Sequence, residues 1–217
     1  MTMTLFPAGV PKTKRLIDLL LASLALLILS PLLLVLAVLV RMNLGRPVFF
    51  RQQRPGLRGR PFWICKFRTM ADSRDAQGKL LPDSARITPL GARLRSASLD
   101  ELPELFNVWL GEMSWVGPRP LLMQYLERYT PEQMRRHEVL PGVTGWAQIN
   151  GRNTLSWEDR FALDIWYVDH WSLGLDFKIF AISVWKVIKR EGISQPGFVG
   201  AEEFTGSKVP GEELSRK

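Results

Sequence analysis

Residues 24–40 read LALLILSPLLLVLAVLV. The placement of this stretch decides the fold, because it is long enough for a membrane yet carries a proline in its middle. The apolar run extends from about residue 16 to residue 40, interrupted by Asp18, Ser23 and the Ser30-Pro31 pair. From Leu19 it offers roughly 22 residues, enough for a helix to cross a bilayer. A cleaved signal peptide would have a shorter apolar core and a small-residue cleavage site, whereas Arg41-Met42-Asn43-Leu44 follows here. Pro31 lacks an amide donor and its ring clashes with the carbonyl four residues back, at a cost of about 3 kcal/mol in a helix interior. A bend there gives two halves of roughly 12 residues, each about 18 Å long and too short for a hydrocarbon core of about 30 Å. The Ser30 hydroxyl is suited to satisfy a carbonyl freed by the proline.

Basic residues flank both ends: Lys12, Lys14 and Arg15 before, and Arg41, Arg46, Arg51 and Arg54 after. Such residues favour the cytoplasmic side, so a segment that dips in and returns satisfies both flanks where a spanning one fails at one end. The residues alone leave the re-entrant placement and a kinked spanning helix both open. The 217-residue chain as a whole carries a formal net charge of +8 and a pI near 10.0, a balance suited to an anionic membrane, nucleic acid or phosphorylated substrates. One cysteine, Cys65, excludes an internal disulfide, and with only His137 and His170 beside it no ordinary zinc site can form.

Beyond the membrane segment, the aromatic runs at residues 48–50 and 62–64 flank a Pro55-Gly56 turn signal and predict a short β-hairpin. Residues 98–114 and 156–172 read as helical, 120–142 as two short helices separated by Thr130-Pro131, and 141–153 as a glycine-rich loop. Near the end, Phe177, Phe180, Ala181, Val184, Trp185 and Ile188 share one helical face among Lys178, Lys186, Lys189 and Arg190. Such a stripe suits either the membrane interface or a domain core. The organisation expected is a membrane segment over 1–46, a catalytic domain over 47–192 and a tail over 193–217. The fold class expected is mostly α with a small β-hairpin element.

Ser98-Leu99-Asp100-Glu101 fits a capping box, in which Ser98 caps the helix and Glu101 reaches back to it. The competing reading is chemical: one carboxylate attacks phosphorus, and its neighbour binds Mg²⁺, a hard ion that takes oxygen ligands and bridges phosphates. Lys66, Arg68, Arg93, Arg95, Arg119 and Arg152 supply cations around this pair, and a guanidinium grips phosphate oxygens as a fork. Arg119 lies between Pro118 and Pro120, which fix its backbone.

Taken in order, KTKRLIDLLLA, the Ser-Pro segment, RPGLRGRPFWICKFRTM, SLDELPELFNVWLGEMSWVGPRP and PGVTGWAQINGRN resemble the small monotopic phosphoglycosyl transferases of the bacterial sugar transferase family. The resemblance covers about residues 12–190. It implies transfer of a sugar-1-phosphate from a UDP-sugar to a polyprenyl phosphate with release of UMP, as the first membrane step of glycoconjugate assembly. It assigns Asp100 as the nucleophile that forms a covalent phosphosugar intermediate, and Glu101 as a catalytic partner and Mg²⁺ ligand. It implies substrate contacts from Lys66, Arg68, Arg95, Arg119 and Arg152, and a re-entrant hinge at Ser30 and Pro31 with interfacial amphipathic helices. The setting implied is the cytoplasmic face of a bacterial inner membrane, with membrane lipid as a partner and a homodimer left open. A non-catalytic monotopic scaffold would explain the membrane elements but gives the carboxylates and Arg119 no task. Nucleic acid is not expected as a partner, since the basic residues are scattered and form no recognisable binding motif.

Overall fold

The apolar segment forms a single helix, α1 (Lys12–Leu44), in the computed structural model, which describes residues 5–151, 155–189 and 203–206. Pro31 lies inside it, and the two separate half-helices expected on either side of Ser30-Pro31 are replaced by one continuous helix. The reason is local. Pro31 deprives the Leu27 carbonyl of its amide donor, and Ser30 Oγ donates to that same oxygen at 2.8 Å.

One face of α1 packs along the rest of the chain. Ala22 joins Phe62, Ile64, Val108 and Met113, while Leu36 and Val40 join Phe67 and Leu94. The opposite face exposes Leu20, Leu24, Leu27, Ile28, Leu34, Val35 and Met42. Only 11% of its most apolar 18-residue window is buried, so α1 is not the enclosed core helix of a water-soluble domain. It is long and apolar enough to cross a membrane.

The first turns of α1 are polar and buried. Arg15 is fully enclosed and donates to the carbonyls of Leu5, Val108 and Trp109. Lys14 Nζ pairs with Asp176 at 2.5 Å and donates to Val116 O at 3.0 Å, and Asp18 accepts from Trp115 N. Two of the three basic residues of the flank before the apolar run are therefore inside the protein. Charge counting missed this because a cation whose donors all meet carbonyls or carboxylates is stable in the interior.

The expected hairpin is present and longer than its aromatic runs suggested: β1 (Phe49–Pro55) pairs antiparallel with β2 (Pro61–Phe67), from Phe49↔Phe67 to Pro55↔Pro61. Two short helices follow, α2 (Asp83–Arg86) and α3 (Pro89–Ser96), the latter capped by the Thr88 hydroxyl on Gly91 N. A 3₁₀ turn at Leu99–Glu101 leads into α4 (Glu104–Leu110), which Gly111 ends in the left-handed conformation. Next come β3 (Ser114–Val116), a 3₁₀ segment at Met123–Arg128, and α5 (Pro131–Met134) with a full capping box at Thr130. The chain closes with β4 (Gly142–Thr144), α6 (Trp146–Asn150), α7 (Trp157–Asp169) and α8 (Leu173–Lys189).

β3 and β4 pair in parallel, where the sequence suggested a loop at residues 142–145. A Cβ on Gly117 would lie 2.2 Å from Leu140 O, and one on Gly142 would lie 2.1 Å from Gly117 N. These glycines serve backbone-to-backbone contact, and that contact fixes the segment leading to Arg119.

On α8, Phe177, Val184 and Trp185 point outward while Ile179 and Asp176 face the core. The stripe singled out in the sequence is thus mainly the outer face, although Phe180 turns in against Trp115. The Ile188 side chain and Arg190 lie outside the described residues. So does most of the 193–217 tail, yet Phe204 within it is buried against Tyr125, Tyr129, Trp157 and Phe161.

Candidate active site

The 3₁₀ turn that carries the carboxylate pair is not the capping box its sequence allows. Ser98 adopts φ 55° and its side chain makes no cap hydrogen bond. A left-handed serine costs of order 1 kcal/mol or more, and such strain gathers at functional sites. Glu101 does not reach back to Ser98 either. Its carboxylate accepts from Lys66 Nζ at 2.6 Å and from both terminal nitrogens of Arg119. Asp100, only 8% exposed, makes no side-chain hydrogen bond or ion pair among the described residues. One carboxylate of the pair is thus committed and the other is uncommitted.

Their electrostatics diverge accordingly. Burial alone would raise the Glu101 pKa, but the Arg119 and Lys66 charges outweigh it and hold the carboxyl well below its ordinary range. For Asp100, burial and then the neighbouring Glu101 charge win over Lys66, Arg95 and Arg119, and the pKa is raised. The surrounding cations and the helix start thus do not hold Asp100 low. None of those cations touches Asp100, whereas desolvation acts on it directly.

Glu104, one turn further on and only 1% exposed, completes the group with Oε1 3.1 Å from Lys66 Nζ. The sequence reading did not single it out, although the i, i+3 spacing from Glu101 places the two on neighbouring positions. Burial pushes its pKa up to about 7; Lys66 opposes this and the Glu101 charge adds to it. A folded value above the unfolded 4.5 means that stability is present below about pH 4.5 and is lost as pH rises through 7. Denaturant titrations in EDTA should show wild type losing on the order of 3 kcal/mol relative to Glu104→Gln across that window. A pH-independent difference would show that Glu104 is ionised throughout.

Arg119 is positioned from behind by residues that sequence reasoning missed. Arg136 Nη2 donates to Arg119 O at 2.9 Å and to Asp164 at 2.7 Å, with both side chains of that ion pair almost fully enclosed. Arg54 Nη1 lies 3.5 Å from Pro120 O. Nothing local in the sequence marks these pairs, since each joins distant segments.

The remaining candidates are more dispersed. Arg95 donates to Thr69 Oγ1 at 3.0 Å and contributes charge to Asp100. Arg68 donates to the carbonyls of Leu44, Arg46 and Met70 and pairs with Asp72, so it ties the end of α1 to the hairpin rather than joining the Glu101 contacts. Arg152 lies outside the described residues. Among the described residues no three His, Cys, Asp or Glu side chains converge as a preformed metal cage. The donors available, Asp100 and Glu101, are hard oxygens. They fit a Mg²⁺ ion that takes most of its ligands from phosphate and water, provided Glu101 gives up part of its hold on Lys66 or Arg119.

A family model described as bacterial sugar transferase matches residues 10–190. The chain belongs to the bacterial sugar transferase family. A Bacillus subtilis protein described as an uncharacterized sugar transferase, EpsL, is 57% identical to this transferase over 194 residues, covering 89% of this chain and 96% of that one. The UDP-glucose:undecaprenyl-phosphate glucose-1-phosphate transferase of Klebsiella pneumoniae is 44% identical over 80% of this chain. The exopolysaccharide production protein ExoY of Rhizobium meliloti is 41% identical over 76% of this chain and 81% of its own length. The chain covers 39% of the length of the Klebsiella relative.

Proposed function

We propose that this transferase moves a sugar-1-phosphate from a UDP-sugar to a polyprenyl phosphate and releases UMP, as an early membrane step in glycoconjugate assembly. The observation that carries the reading is the uncommitted Asp100 beside a Glu101 clamped by Lys66 and Arg119. The relatives' names supply the first substrates to test, UDP-glucose and undecaprenyl phosphate.

In this reading an Asp100 oxygen attacks the phosphorus that bears the sugar. The bond from that phosphorus to the oxygen bridging the two phosphates breaks, and UMP departs with the electron pair. A polyprenyl phosphate oxygen then attacks the same phosphorus, the aspartyl C–O–P link breaks at phosphorus, and the free carboxylate returns. Arg119 and Lys66 hold phosphate oxygens and offset charge that builds on them. Glu101 would hold Mg²⁺, which when bound offsets the diphosphate charge and the like charge that pushes Asp100 up. A non-catalytic scaffold has no use for such a cluster. Incubation with UDP-glucose and a short polyprenyl phosphate should release UMP in step with lipid-linked product; no UMP from any UDP-sugar tried would overturn the reading.

Arg119→Lys keeps charge but loses the two-nitrogen fork on Glu101. Turnover should fall by about tenfold or more, and more than substrate affinity falls, because the fork answers charge that develops during transfer. Equal kcat in the variant would make Arg119 structural.

The same proposal includes membrane attachment at a cytoplasmic face by a re-entrant α1. Both ends of that helix rest on the same body, through Arg15 and Ala22 at one end and Leu36 and Val40 at the other, while the outer face between them is apolar. Leu5→Cys in a Cys65→Ser background should resist an impermeant thiol reagent in intact cells and react after lysis. Strong labelling before lysis would mean that α1 spans.

A further inference from the structure

We infer that Glu104 is a positioning residue that holds Lys66 from beneath, so that Lys66 keeps its place when a substrate phosphate takes over from Glu101. The inference rests on the proposed function and assigns a task to a residue outside the nucleophile, metal and phosphate-contact set.

Lys66 joins a fully enclosed carboxylate to a more exposed one. Glu104 is 1% exposed, Lys66 19% and Glu101 21% by side chain. The Lys66 ammonium lies between the two carboxylates, 3.1 Å from Glu104 and 2.6 Å from Glu101. Glu101 also answers to Arg119, so its share of Lys66 is the one that an incoming phosphate can replace. Among the described residues Lys66 is the cation within ion-pair distance of Glu104, while Arg119 and Arg54 act on it from further away. Its backbone is set by the first turn of α4, which packs on β2, the strand that carries Lys66. A lysine stem has four rotatable carbons, and a lysine with only Glu101 for a partner would follow that carboxylate toward metal or solvent. An enclosed carboxylate behind the ammonium removes that freedom and holds it in place.

The consequence is a coupling that runs chiefly through Lys66. The probe is UDP, titrated calorimetrically into the full-length protein in detergent or nanodiscs with Mg²⁺ present, at a pH above the Glu104 value of about 7 so that its carboxylate is charged. Glu104→Gln, which keeps the shape and loses the charge, should weaken UDP by about tenfold. Lys66→Met should weaken it by at least as much. In the Lys66→Met background, Glu104→Gln should change affinity by less than about twofold, because the group it positions is gone. The double variant is also expected to fold well, since it removes both members of a buried pair instead of orphaning one.

Additive losses in the cycle would overturn the inference and leave Glu104 acting on the site as a whole. If Glu104→Gln fails to fold, Glu104→Asp carries the test: it keeps charge and withdraws the carboxylate by one methylene. UDP affinity should then fall by about threefold or more at an unchanged melting temperature; unchanged affinity would overturn the inference. Wild type that binds no UDP would sink the proposed function itself. Wild type that binds UDP while the variants behave additively would sink only the role of Glu104.

Discussion

Asp100→Asn should abolish UMP release, with a loss of at least roughly three orders of magnitude in turnover. The substitution preserves size in a site that is only 8% exposed and already makes no side-chain hydrogen bond, so folding should be little affected. What it removes is the oxygen nucleophile. Wild type mixed with UDP-glucose and no acceptor should yield a phosphosugar adduct on the peptide carrying Asp100, seen as a mass increase after an acid quench. The kinetics should be ping-pong, since the first product leaves before the lipid reacts. The raised pKa of Asp100 adds a second expectation. Activity should fall toward acid pH at a value above that of an ordinary aspartate, because only the ionised form attacks. A fully active Asp100→Asn would exclude the nucleophile role. Ternary-complex kinetics without an adduct would point to direct attack by the lipid phosphate.

Glu101→Gln should be nearly as damaging, lowering turnover by about a hundredfold or more. In the resting arrangement it leaves Lys66 and Arg119 without the charge that both contact. It also removes the carboxylate proposed to hold Mg²⁺. EDTA should inactivate wild type to a similar extent, and Mg²⁺ or Mn²⁺ should restore it. The variant should bind UDP no worse than wild type in EDTA, because the phosphate then no longer competes with Glu101 for Lys66. Full turnover in EDTA, or in the variant, would assign Glu101 to structure alone.

The hairpin, most helices and the adjacent Asp100 and Glu101 were legible because each has a local signature. Aromatic runs about a Pro-Gly turn, helical periodicity, and adjacent carboxylates followed by a proline-bracketed arginine are all read within a few residues of one another. Several elements were not legible for the opposite reason. β3 and β4 are three residues each and exist only because Gly117 and Gly142 let two backbones touch. The Arg136–Asp164 pair behind Arg119 joins residues 28 apart in sequence, and Lys14–Asp176 joins residues 162 apart. Ser98-x-x-Glu101 misled in one direction: the local rule allows a capping box, but Lys66 and Arg119 offer Glu101 stronger, charge-assisted partners.

The sequence by itself determined that the chain has a long apolar N-terminal helix, a charged domain behind it, and two adjacent carboxylates among cations. Those follow from composition and spacing, which act over one or two turns of chain. Only the tertiary structure decided which charges are free to act. It turned Lys14 and Arg15 of the basic flank into buried struts, left Asp100 uncommitted while clamping Glu101, and set Glu104 against Lys66. It also gave the Leu27 carbonyl, orphaned by Pro31, the Ser30 hydroxyl as a donor and laid one face of α1 along the domain. The physical reason is the same in each case. The state of a charge, or of an orphaned carbonyl, is set by desolvation and by partners within about 3 Å, and folding brings those partners from anywhere in the chain.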